Sequence, residues 1–151
     1  MTRRSEPAHY SKLAALQDLV ALERRRDLER ACAETDLRTR EAAQLAEALA
    51  AAEAGLSAVH AAERLCPDRL RYAAAIVGDS DLALGEGRTA VARTAEAERL
   101  AGSAWLMARH RTEWFGDRAS QLEKRAMRKR DDAAEAEARM LRMTLNPGRG
   151  A

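Results

Sequence analysis

The sequence predicts an all-α protein, a long antiparallel two-helix coiled-coil hairpin with a short helical segment at the tip. Alanine supplies 35 of the 151 residues, whereas aromatic residues make up only 3%. Charged residues reach 33%, and most are arginine or glutamate, which are good helix formers. Two stretches also repeat apolar residues at alternating spacings of three and four, which is the coiled-coil pattern. Because small side chains cannot fill a wide core, a thin seam between two helices suits this composition.

The first helix is predicted over residues 8–65, after a disordered N-terminus at residues 1–7. Nine of the twelve positions in its repeat are apolar. These positions are Leu28, Ala31, Thr35, Arg38, Ala42, Leu45, Leu49, Ala52, Leu56, Val59, Glu63 and Cys66. Upstream, the same spacing continues, but the apolar positions are displaced by one residue around the helix. The positions of an undistorted helix shift in this way relative to a strict heptad. The upstream positions are Leu13, Leu16 and Val20.

Residues 66–87 are predicted to form the tip of the hairpin. Pro67 removes a backbone donor and restricts the residue before it, so it should end the first helix. Residues 68–77 can form a short helix of their own. Gly78, Gly85 and Gly87 then supply turn signals.

The second long helix is predicted over residues 88–145, and a disordered tail is predicted at residues 146–151. Eleven of the thirteen positions in its repeat are apolar, and the spacing never slips. The positions are Ala101, Trp105, Ala108, Thr112, Phe115, Ala119, Leu122, Ala126, Lys129, Ala133, Ala136, Met140 and Met143. Residues 8–145 should therefore form a single coiled-coil domain.

Folding back at this tip would pair specific residues of the two helices. Leu45 would lie near Trp105, and Leu28 near Leu122. Leu13 would lie near Ala136. A parallel homodimer of each helix also fits the repeat. The proline and glycines at the tip favour the intramolecular hairpin, because its connection is short.

The charge balance indicates solvated helix faces rather than a nucleic-acid-binding surface. The chain has 26 basic and 24 acidic residues, for a formal net charge of +2. No apolar run is long enough to span a membrane, and no secretory signal is evident. The expected location is therefore the cytoplasm.

No catalytic, cofactor-binding or metal-binding residue is predicted. His60 with Glu63, and His110 with Glu113, have a spacing that could supply half of a metal site, but the convergent ligands are missing. The Asp79–Asp81 stretch fails the calcium-loop pattern. An enzyme is not expected, because a two-helix coil offers no concavity that excludes water.

The two cysteines, Cys32 and Cys66, lie on one predicted helix. They should be roughly 50 Å apart there, which excludes an internal disulfide. Buried free thiols are the expectation.

Basic residues cluster where the predicted pairing would bring the ends of the chain together. They are Arg24, Arg25, Arg26 and Arg30, with Lys124, Arg125, Arg128, Lys129 and Arg130. Acidic residues are interleaved with them, so an ordinary solvated face and a docking collar for an acidic protein both stay open. Nucleic acid is disfavoured because few aromatic residues could stack on bases. Trp114 either flanks a wide seam or contacts a partner.

Two stretches of the sequence resemble a known family. One runs from Leu13-Ala14-Ala15-Leu16 to Arg24-Arg25-Arg26-Asp27-Leu28-Glu29-Arg30, and the other is Trp114-Phe115-Gly116-Asp117-Arg118-Ala119-Ser120-Gln121-Leu122-Glu123-Lys124-Arg125. Together they resemble the FliJ/YscO family of bacterial type III export stalks, proteins of the flagellar or injectisome export apparatus.

This resemblance implies a non-enzymatic central stalk. Such a stalk binds a hexameric export ATPase, links it to the export gate protein and handles secretion chaperones. It is peripheral to the membrane only through these partners. The terminal end of the hairpin would enter the ATPase ring, with residues 13–30 and 122–132 as contact faces. The alternative is a coiled-coil scaffold or homodimeric adaptor unrelated to secretion.

Overall fold

The computed structural model describes residues 6–145, and it contains two long helices. Helix α1 spans Glu6–His60, and helix α2 spans Pro67–Leu145. No strand occurs within residues 6–145. The predicted fold class, an all-α two-helix hairpin, is therefore confirmed. The hairpin is intramolecular, so the seam predicted from the repeat does not depend on a parallel homodimer.

The two helices meet at a connection of six residues, 61–66, which is much shorter than the predicted tip. Helix α1 ends at His60 rather than at residue 65, and the amide N–H of Ala61 still donates to the Ser57 carbonyl at 3.0 Å. Pro67 is the first residue of α2, a position where its missing N–H costs nothing. The Leu70 N–H donates to the Cys66 carbonyl at 3.1 Å, which closes the first turn.

The predicted tip at residues 66–87 is wrong. Residues 68–77 are the first turns of α2 and not a separate segment, and Gly78, Gly85 and Gly87 lie inside that helix. Each glycine disfavours a helix interior by about 1 kcal/mol. Large seam residues such as Leu84, which is only 5% exposed, supply packing that outweighs this cost.

The start of the first helix also differs from the prediction. Glu6 and Pro7 belong to α1, so the predicted disordered N-terminus at 1–7 is wrong at these two positions. An acidic residue in the first turn suits the positive end of the helix dipole. Residues 1–5 and the predicted tail at 146–151 lie outside the described residues.

The structure divides into two units, which are described separately. The connection unit is Glu23–Trp105, and the terminal unit is Met1–Leu22 with Leu106–Ala151. In the connection unit, every predicted seam position of α1 from Leu28 to Val59 is at least partly buried, so this repeat is confirmed. Glu63 and Cys66 are exposed in the connection. The facing positions of α2 are Leu70, Ala73, Val77, Ser80, Leu84, Gly87, Val91, Thr94, Glu98, Ala101 and Trp105.

The pairing of the helices differs from the prediction because the connection comes earlier in the chain. A side chain at Gly87 would meet Leu45, so Leu45 faces Gly87 and not Trp105. Leu28 lies against Gly102, where the prediction placed it beside Leu122. Both contacts fit an antiparallel arrangement of the two helices. Each residue of α1 therefore faces an earlier part of α2 than predicted.

Gly87 marks the closest approach of the two helices at a glycine. A Cβ atom built there would lie 2.9 Å from the Leu45 Cδ1 atom and 3.8 Å from the Ala42 Cβ atom. A Cβ atom at Gly85, two residues earlier, would meet nothing within 4 Å. The two glycines thus differ in packing but share the same helix.

We expect the two glycines to respond differently to alanine. Gly85→Ala should raise the free energy of unfolding by about 1 kcal/mol, because alanine is the better helix former. Gly87→Ala should gain less or nothing, since Leu45 must move, and Gly87→Val should lose about 1–3 kcal/mol through overpacking. Denaturation followed by circular dichroism measures these changes, and Gly85→Val is the matched control. Equal losses for the two valine variants would contradict the close approach.

In the terminal unit, the start of α1 packs on the α2 residues that follow Trp105. The buried or half-buried positions of α1 are Tyr10, Leu13, Ala14, Gln17 and Ala21, and those of α2 include Ala108, Thr112, Phe115 and Ala119. The predicted displacement is wrong at two positions, because Leu16 is 58% and Val20 38% exposed. Gln17 and Ala21 hold the strict heptad spacing instead, so the seam stays in phase.

The late part of α2 has no cover from α1 in the described residues. Tyr10 contacts Phe115, so the predicted pairing of Leu13 with Ala136 is wrong. Every residue from Met127 to Thr144 is exposed. The predicted seam of the second helix is therefore confirmed only as far as Ala126.

Candidate partner-binding surface

Ion pairs along each helix account for much of the charged surface. Arg38 contacts both Glu34 and Glu41 at 2.9 Å, and these two hydrogen bonds raise the pKa of its guanidinium. Arg99 contacts Glu96, whose pKa is lowered by the same hydrogen bonds. Exposed pairs of this kind contribute little to stability, because water screens the two charges. They support the helices and define no binding site.

The residues with metal-site spacing do not form a metal site in the described part of the chain. Within residues 6–145, no three His, Cys, Asp or Glu side chains converge on one point. His110 Nδ1 lies 3.6 Å from Glu113 Oε2, and both side chains are exposed. The Asp79–Asp81 stretch is an ordinary part of α2.

The two cysteines are free, as expected, but only Cys32 is partly buried. Burial and a hydrogen bond with Glu98 raise the pKa of the Cys32 thiol. Cys66 is exposed, so the expectation of two buried thiols is wrong for it. The backbone N–H groups of Arg69 and Asp68 lower the pKa of the Cys66 thiol, because they stabilise the thiolate at the start of α2.

The basic residues of α1 are mostly occupied by acidic neighbours on the same helix. Arg24 and Arg30 both contact Asp27, at 3.5 and 3.4 Å, and Arg25 contacts Glu29 at 3.0 Å. Arg25 also lines a shallow groove beside Trp105. The predicted pairing of the α1 arginines with residues 124–130 is therefore wrong. Arg26 is exposed on the same helix.

The basic residues of α2 are arranged differently. Lys124, Arg125, Arg128, Lys129 and Arg130 are all exposed. No carboxylate of the described residues lies within 4.0 Å of any of these five side chains. Like charges four residues apart also repel, as Lys124 with Arg128 and Arg125 with Lys129 do, at about 0.2–0.5 kcal/mol per pair. Asp131 and Asp132 lie three and four residues after Arg128, so this stretch is an exposed basic surface with acidic neighbours on one side.

Trp114 belongs to an aromatic cluster at the terminal unit. Its ring lies 5.0 Å from the ring of Phe115 and 6.3 Å from that of Tyr10, measured between centroids. Edge-on contacts at such distances contribute about 0.5–1.5 kcal/mol. Trp114 nevertheless stays 57% exposed. It therefore flanks the seam, which was one of the two predicted alternatives, while more than half of its surface is open to solvent.

An apolar groove that was not predicted from the sequence lies beside this tryptophan. Leu106, Met107 and His110 line it together with Trp114 and Phe115. Leu106 is 57% and Met107 59% exposed. The signal was available, because two large apolar residues directly after seam residue Trp105 cannot both point into a two-helix seam.

None of the described helices combines the length and the apolar character that crossing a membrane requires. The comparisons with known proteins place no relative beside this chain: no protein-family model, curated protein or solved structure matches it.

Proposed function

We propose that the protein is a cytoplasmic central stalk of a bacterial type III export apparatus. It binds the hexameric export ATPase, links that ATPase to the export gate protein and handles secretion chaperones. The observation that carries the proposal is the exposed basic surface at residues 124–130 of α2, whose five basic side chains form no ion pair with the described residues. The export ATPase is proposed as the partner because residues 13–30 and 114–125 resemble export stalks.

The proposed mechanism needs no chemistry from the chain itself. A helix with five unpaired basic side chains favours an acidic surface, and arginine can form paired hydrogen bonds with carboxylates. The ring would supply that surface and hydrolyse ATP. The long coiled coil would transmit rotation or bias the closed state of the ring. Trp114, which is 57% exposed, is a further contact residue of the proposed interface.

The test is charge reversal at three exposed arginines of α2. The triple variant Arg125→Glu, Arg128→Glu, Arg130→Glu should weaken binding to the export ATPase of the same genome by about a hundredfold at low salt, because each close charge pair contributes about 1 kcal/mol or more. Co-purification and a titration of ATPase stimulation measure the effect.

The matched control reverses three arginines near the connection, Arg64, Arg69 and Arg71. It changes the net charge by the same amount and should leave binding nearly unchanged. Equal losses for both triple variants would show that only net charge matters. Absence of any binding by the unaltered chain would count against the stalk function.

A coiled-coil scaffold or homodimeric adaptor is the second candidate function. The exposed apolar residues of α2 beyond Ala126 favour it, since Met140 is 65% and Met143 78% exposed. Such residues are typical of a seam that another helix covers. Binding to the export ATPase separates the two functions, because only the stalk requires it.

A further inference from the structure

The seam of α2 continues past the part that α1 covers. Its positions there are Ala126, Lys129, Ala133, Ala136, Met140 and Met143, which keep the alternation of three and four found along the rest of the helix. From Met127 onward all of them are exposed. An interface already used within the molecule therefore extends onto a helix face that no described residue covers.

In proteins most of the stability of a helix comes from the packing of its apolar face. Residues 127–145 are helical, yet their described side chains bury nothing against α1. The largest apolar side chains on the seam here are those of Met140 and Met143, which are 65% and 78% exposed. Covering this strip with a second helix would bury apolar area and stabilise the segment.

The charge pattern indicates which helix fits. A basic run at residues 124–130 is followed by four acidic residues, Asp131, Asp132, Glu135 and Glu137. Two copies of this segment in parallel would place Arg125 beside Arg130 of the second copy. They would also place Asp132 beside Glu137 of the second copy. Both flanking pairs repel, so a parallel pair is disfavoured.

An antiparallel pair reverses this outcome in one register. When Ala133 faces Ala136 of the second copy, Arg130 flanks Glu137 of that copy, and Asp132 flanks Arg139. By symmetry each attractive pair forms twice. Sliding by one heptad places Asp132 beside Asp132 of the second copy instead, which repels. The charges thus select both an orientation and a register.

The core of this register is also complementary in size. Ala126 would face Met143 of the second copy, so a small residue meets a large flexible one. Lys129 would face Met140, with its aliphatic stem along the seam and its ammonium group in water. Alternation of small and large residues is what closely packed helices require.

The geometry points to a second copy of this chain as the occupant: residues 126–143 of two molecules form an antiparallel two-helix coil. The pairing is short and rich in alanine, so the dimer is weak and depends on concentration. This self-association goes beyond the stalk function, and it names the pairing segment that a homodimeric adaptor would use. It competes with any partner that uses the same face.

Charge exchange tests the dimer. Sedimentation of the full chain over a range of concentrations should show a monomer–dimer equilibrium. Arg130→Glu alone and Glu137→Arg alone should each weaken dimerisation by about tenfold, since two attractive pairs become repulsive. The double variant should restore dimerisation. The matched control, Asp131→Arg with Arg142→Glu, exchanges the same charges at outward-facing positions and should leave dimerisation unchanged.

Cross-linking tests the register directly, in a chain whose Cys32 and Cys66 are replaced by serine. A mixture of an Ala133→Cys chain with an Ala136→Cys chain should form a disulfide-linked dimer quickly. Either chain alone should cross-link slowly. A monomer at every concentration would overturn the proposal, as would an unrestored double variant. Fast cross-linking of the Ala133→Cys chain alone would also overturn it, because it indicates a parallel pair.

Discussion

Leu84→Asp is expected to destabilise the connection unit strongly. Leu84 is only 5% exposed. Removing such a leucine costs about 2–5 kcal/mol, and placing an unpaired carboxylate in the seam adds to that cost. A loss of about 4 kcal/mol lowers the melting temperature of a chain of this size by roughly 10 °C. Thermal unfolding followed at 222 nm measures it.

Leu82 provides the matched control for this substitution. It lies two residues earlier on the same helix and is 70% exposed. Leu82→Asp introduces the same charge but should change the free energy of unfolding by no more than about 0.5 kcal/mol. If Leu82→Asp proved as damaging as Leu84→Asp, the assignment of the seam in α2 would be wrong.

The sequence predicts the fold class and the seam of α1 because periodic apolar residues dominate a thin core. Each α1 position from Leu28 to Val59 falls at a buried or half-buried place. Even the polar seam positions, Thr35 and Arg38, were assigned correctly. The spacing of the apolar residues predicts which positions face the other helix, even where single positions are polar.

The proline and glycine residues, by contrast, led to a wrong prediction of where the connection lies. In a sequence, a proline such as Pro67 can either end one helix or be the first residue of the next. Contacts in the folded structure decide between these two roles, and here Pro67 begins α2. The glycines at 78, 85 and 87 were interpreted as a turn, although the heptad passes straight through them. Gly87 is itself a seam residue, where a larger side chain would have to displace Leu45. Tertiary packing overrode local propensity at these positions.

Because the connection was predicted at the wrong residues, the contacts expected at the candidate site were also wrong. Because pairing was counted from the wrong tip, Leu28 was expected beside Leu122, and the basic residues of the two helices were expected to meet. Leu28 instead lies against Gly102. The basic residues of α2 were still identified correctly as exposed, since their charge alone predicts that. That the late seam has no cover from α1 could not be predicted without the true register.

A chain that ends at Ala126 should lose association with partners but keep its folded stability. Residues 127–144 are all exposed, so their removal takes almost no apolar contact from the terminal unit. The melting temperature of the remaining hairpin should stay within about 2 °C of the full chain. Self-association should disappear, and ATPase binding should fall by more than about a hundredfold because Arg128, Lys129 and Arg130 are lost.

The comparison needs a second truncation, which removes only residues 146–151 and retains all of α2. This shorter truncation should associate as the full chain does. A large fall in melting temperature for the chain ending at Ala126 would show that the late segment of α2 packs against the hairpin after all. An unchanged melting temperature with undiminished association would assign binding to the aromatic cluster around Trp114 instead. Only the combination of retained stability and lost association fits a helix whose exposed seam and basic surface exist for contact with another molecule.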